Sequence, residues 1–117
     1  MENFLSSRRF RIWQYYVSHS QLVLRSPRNE NDVNSENIDL IFKGVFYLEL
    51  PIHSVGIEIR LPTEQELKYL ETRSGTRKEL TSQFYVLITS DQRYYIGAAF
   101  FSIESNKLLL VTNIDTF

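Results

Sequence analysis

Residues 38–50 alternate without a break. Ile38, Leu40, Phe42, Phe46, Leu48 and Leu50 take the even positions, and Gly44 alone lacks a side chain. The odd positions hold Asp39, Ile41, Lys43, Val45, Tyr47 and Glu49. Successive side chains of a strand point to opposite faces, so a period of two over this length specifies a half-buried β-strand with its even face toward a core. Straight, the strand would run ~43 Å at about 3.3 Å per residue, too long for a small domain. A bend or bulge is therefore expected at Gly44, and an end at Pro51, which has no N–H to give to a ladder.

Other segments share this β character. Residues 10–17 (FRIWQYYV) and 21–26 (QLVLRS) read as a hairpin interrupted by Ser18, His19 and Ser20. A two- or four-residue turn would collect Trp13, Tyr15 and Val17 on one face with Leu22 and Leu24. A three-residue turn would instead set Trp13 against Arg25 and Tyr16 against Leu22, so the first register is preferred. Val55, Ile57, Ile59 and Leu61 alternate again, and the short link through Pro51 predicts a hairpin with the long strand. Residues 84–90, 93–103 and 108–112 read as further strands, with a polar turn at residues 104–106. Residues 26–37 form a polar stretch with Val33 as its one apolar side chain, expected to be mobile.

One segment has a different period. Thr63 followed by Glu66 is a capping box, Glu64 and Lys68 are spaced for an ion pair, Leu67 and Leu70 make a narrow stripe, and Gly75 is a stop signal. This predicts one helix near residues 63–73. The expected fold is mainly β (α+β). About seven antiparallel strands form a meander in a strongly curved sheet or barrel, with one helix. A chain of 117 residues fits a single domain over 1–117.

Composition narrows the function. Thirteen basic and fourteen acidic residues leave a net charge of -1, without the basic excess a nucleic-acid binder needs to displace counterions. The one basic cluster, Arg8, Arg9 and Arg11, reads as a solvated strand start. There is no cysteine, so disulfides, thiolate metal sites and cysteine nucleophiles are excluded. No run approaches the ~18–20 apolar residues of a membrane span, and residues 1–7 do not resemble a secretory signal. A cytoplasmic protein without membrane or nucleic-acid partners is expected.

No catalytic signature emerges. His19 and His53 lie in turns with no partner at a recurring spacing. Asp39, Glu49 and Glu58 read as the polar side of half-buried strands rather than a glycosidase pair. Nucleophile-elbow, phosphate-loop and zinc-helix motifs are missing. No enzyme activity, cofactor or metal is expected.

The informative anomaly is apolarity on both faces. The odd face of the long strand carries Ile41, Val45 and Tyr47, and the second face of the first hairpin carries Ile12, Tyr16 and Val23. The helix, closure of the sheet on itself, or another molecule must shelter them. Contiguous apolar patches mark interfaces, and tyrosine suits them. Ile12, Tyr16, Val23 and Tyr47 are thus candidate binding residues. The expected function is a small non-enzymatic binding domain that forms a dimer or other homo-oligomer or docks a protein partner. The alternative is a small apolar ligand held in a curved-sheet pocket lined by Trp13 and Tyr15.

Residues 11–26 (RIWQYYVSHSQLVLRS), 38–51 (IDLIFKGVFYLELP) and 93–100 (RYYIGAAF) resemble segments of small bacterial domains with no assigned function. The resemblance implies a bacterial, cytosolic, stand-alone domain and carries no activity or site residue.

Overall fold

A computed structural model describes residues 3–29, 31–75 and 83–107. The elements are β1 (Phe4–Tyr16), β2 (Gln21–Ser26), β3 (Asn37–Lys43), β4 (Tyr47–Glu49), β5 (His53–Arg60), α1 (Glu64–Ser74), β6 (Gln83–Thr89), β7 (Gln92–Ala98) and β8 (Phe100–Asn106). All strand pairs are antiparallel, in one curved sheet of order β4-β7-β6-β5-β1-β2-β3-β8. The protein is mainly β with one helix, as the alternation requires.

The row is open, yet its two ends are halves of the same bent strands. β3 runs on into β4 across residues 44–46, and β7 into β8 across Ala99. Ala99 N–H donates to Lys43 O (2.9 Å) and Phe46 N–H to Gly97 O (2.9 Å), carrying the β3–β8 pairing through the kink into β4–β7. Gly44 makes the kink: its φ of +66° is left-handed, and a Cβ there would lie 2.8 Å from the Ala99 Cβ. The alternation changes face at this point. Leu40 and Phe42 are in the core before it, and Val45 after it, while Phe46 and Leu48 stand partly exposed.

One core lies inside the curve. Leu22 and Leu24, Leu40 and Phe42, Ile57 and Ile59, Leu87 and Ile96 contribute from five strands, and Phe42 stacks on Phe101 with centroids 4.7 Å apart. α1 forms as its capping box demands: Thr63 Oγ1 accepts from Glu66 N–H (3.2 Å), and Glu66 Oε1 accepts from Thr63 N–H (3.0 Å). It lies over the outer face near β4 and β7. Glu66 pairs with Arg93 (2.8 Å), Tyr69 packs on Tyr95, and Arg73 lies near the Tyr47 hydroxyl. Leu70 is fully buried.

The apolar second face is therefore sheltered largely from within. Ile41 is buried with Val23 under Trp13. Val45 has joined the core, and Tyr47 is half-buried below α1. The Tyr47 hydroxyl bonds Glu49. Burial, with that hydrogen bond and the Glu49 charge, pushes its pKa up to about 12.

Three local expectations are corrected. The long strand does not pair with β5: β4 pairs with β7, and β5 lies between β1 and β6, because the chain turns away after Pro51 to join β1. Residues 104–106 are strand rather than turn, since Asn106 pairs with Asn37. β1 starts at Phe4, not Phe10. In the polar stretch after Ser26, Asn37 Oδ1 accepts from Arg28 N–H (2.7 Å) and Ser35 Oγ from Asn29 N–H (2.9 Å). The expected strand at 108–112 lies outside the described residues.

Candidate functional site

β1 is too long to stay in register with both neighbours, and two slips bracket its middle. Against β5 the pairing changes between Ser6 and Arg9; against β2 it changes between Ile12 and Gln14. Gly56, with φ +74°, stands at the first slip. Beyond it Ser54, not Val55, faces inward opposite Phe10, and Val55 is left 58% exposed. The outer face then carries two cross-strand pairs, Arg9 with Val55 and Arg11 with His53. Arg9 and Arg11 are two positions apart on one face, with Cα atoms about 7 Å apart.

These residues open onto a cleft of about 460 Å³ lined by Arg9, Arg11, Ile12, Pro27, Ile52 and His53. Ile12 N–H donates to Ile52 O (3.1 Å), tying two of its walls together. Arg8 positions the third. Its Nη2 donates to Ser26 O (3.1 Å), Pro27 O (3.1 Å) and Glu36 O (2.9 Å), and its Nε to Ser26 Oγ (2.9 Å). Inward, between Phe10, Leu24 and Leu87, the space narrows to about 10 Å³, too small for more than about one water. The cleft has a closed apolar floor.

Among the described residues its charge is uncompensated. None of the ion pairs among the described residues involves Arg9, Arg11 or His53. Behind Arg11 stands Trp13, the residue at the second slip, with the Arg11 guanidinium carbon 4.9 Å from the ring centroid. Arg25, directly opposite Arg11 on β2, lies at the same 4.9 Å. Arg25 is fully buried and paired with Asp39 through Nε–Oδ1 (2.7 Å) and Nη2–Oδ2 (3.2 Å). Asn106 Nδ2 donates to Asp39 Oδ2 (2.6 Å), and Asn37 Nδ2 to Asn106 Oδ1 (2.9 Å). Asp39 neutralises Arg25, so Trp13 presents Arg11 as the open cation.

The four residues expected from sequence to form a binding face are not brought together. Ile12 lines the cleft. Tyr16 is half-buried near the hairpin tip, edge-on to His19. Val23 has no exposed surface and cannot touch a partner, and Tyr47 lies under α1. The hairpin turn has four residues, one of the two lengths that the preferred register allows, with Tyr16 opposite Gln21 and Tyr15 opposite Leu22. The second slip nevertheless moves Trp13 to the face of Val23 and Ile41, away from Leu22 and Leu24. Neither Trp13 nor Tyr15 lines the cleft. Asp39, read as part of the polar side of a half-buried strand, is fully buried.

Arg9, Arg11 and His53 were not legible as a site, because only the slip at Gly56 sets them side by side. Their shared signal is faint: a basic pair at i, i+2 and a histidine two residues after a proline. The cleft offers cationic donors above aliphatic walls, an arrangement suited to an anion with an apolar arm. Its lining includes no carboxylate, hydroxyl or thiol. Among the described residues no group of His, Asp or Glu could hold a metal ion, and no helix is long and apolar enough to cross a membrane. No family model matches this chain, and no curated protein or solved structure shows significant similarity to it.

Proposed function

We propose that this protein is a non-enzymatic binding domain that docks a protein partner on the outer face of β1 and β5. The observation that carries this reading is the cleft itself. Its cations have no acidic partner among the described residues, and beside them Ile52 is 79% and Ile12 39% exposed. Apolar side chains held open around unpaired charge are the usual make-up of an interface anchor. The test is selection of a displayed random peptide library against the immobilised protein, followed by binding of the enriched peptides to Ile52→Asp. The reading expects enriched peptides that lose affinity for the variant. Failure to enrich, or equal binding to Ile52→Asp, contradicts it. Light scattering across a dilution series tests the self-associating form, which expects a mass that rises with concentration.

A small ligand is the second reading. The cleft volume falls in the range of about 300–1,000 Å³ typical of small-molecule sites. The ligand would sit at the surface, outside the sheet's curve, since the floor is closed.

A further inference from the structure

We infer that the segment taken by the cleft carries a carboxylate next to an aliphatic side chain. This rests on the docking reading and adds the chemistry of the partner. Arg9 and Arg11 project from one face of β1, and His53 lies directly across from Arg11. Arginine forks match a carboxylate with two parallel donors. Trp13 holds Arg11 from behind at 4.9 Å, leaving its edge free to donate.

The apolar half is equally specified. Ile12, Pro27 and Ile52 form the walls beside the guanidinium groups. An inorganic anion would leave these walls wet, whereas an aliphatic side chain adjoining the carboxylate would cover them. A nucleic-acid backbone is disfavoured: the chain carries a net charge of -1, and the cleft lining supplies two arginines and one histidine rather than a continuous basic track. The occupant is therefore an acidic-aliphatic stretch of a protein partner.

Trp13 is the only tryptophan, and its stacking on Arg11 makes its fluorescence a reporter of the cleft. The experiment titrates the full chain with blocked tetrapeptides, read by Trp13 emission and by calorimetry. The peptides are Gly-Glu-Leu-Gly, its Gln analogue (Gly-Gln-Leu-Gly) and its Ser analogue (Gly-Glu-Ser-Gly), with inorganic phosphate as a further arm. The Glu-Leu peptide should bind best. Losing the carboxylate should weaken binding about tenfold or more, as expected for a charge-assisted hydrogen bond. Arg11→Gln and Arg9→Gln should abolish the preference for Glu over Gln, while Lys43→Gln, which removes the same charge from β3, should leave it unchanged.

Equal binding of the Glu and Gln peptides overturns the carboxylate inference and leaves docking intact. Equal binding of the Leu and Ser peptides, or of phosphate and the Glu-Leu peptide, overturns the aliphatic arm. An equal loss in Lys43→Gln reduces the effect to unspecific charge and overturns the site. Binding of none of the peptides, with the library selection also empty, removes the docking reading as well.

Discussion

Arg11 and Arg25 face each other across the β1–β2 pair and stand at the same 4.9 Å from one tryptophan ring, yet they live in opposite environments. Arg25 is fully buried, bonded twice to Asp39, and Asp39 is held in turn by Asn106. Arg11 is exposed, has no acidic partner among the described residues and lines a cleft. The difference shows how a small β domain divides its charges. A buried cation must be matched within the chain, because desolvation is costly and an orphaned charge more so. A cation at the surface has no such requirement, and its partner can come from elsewhere.

Asp39→Ala attacks the buried side of this comparison hardest. It strands Arg25 without a counter-charge and should cost about 3–5 kcal/mol in urea unfolding. A loss below about 1 kcal/mol would mean that water reaches Arg25 and that the two arginines are not so different. Leu70→Ala comes next. Leu70 is the buried residue of α1, and its truncation should cost about 2–5 kcal/mol by thermal or urea unfolding, loosening the cover over Tyr47.

Smaller effects sharpen the contrast between paired and open charge. Thr63→Ala removes one half of the capping box and should cost about 1 kcal/mol. Glu66, the other half, titrates below the ordinary carboxylate range. Burial pushes it up, but Thr63 and Arg93 outweigh that. Its folded pKa lies below its unfolded value, so the stability it contributes is complete above the ordinary carboxylate range and is lost as pH falls through the lowered value. Glu66→Gln should therefore destabilise at neutral pH and converge on the wild type in acid, as measured by unfolding at a series of pH values. A gap independent of pH would contradict this assignment.

The fold was legible where a local rule governs it. The alternation at 38–50 required a strand, Gly44 required its kink, and Thr63 with Glu66 required the helix. The hairpin turn was legible in length, but not the slip that puts Trp13 on the outer face, since a bulge is decided by two neighbouring strands at once. The same reason hid the cleft, which depends on Gly56 shifting Val55 outward. The Arg25–Asp39 pair was closer to view. Setting Leu22 opposite Phe42 and Leu24 opposite Leu40 also places Arg25 opposite Asp39, although alternation alone does not reveal that this outer face is buried.

The most direct measurement is urea unfolding of Arg11→Gln beside Arg25→Gln, the same change on either side of Trp13. Arg25→Gln should lose about 3–5 kcal/mol, and Arg11→Gln should stay within about 0.5 kcal/mol of the wild type. Equal losses would make Arg11 a structural residue and contradict its assignment to an open binding cleft.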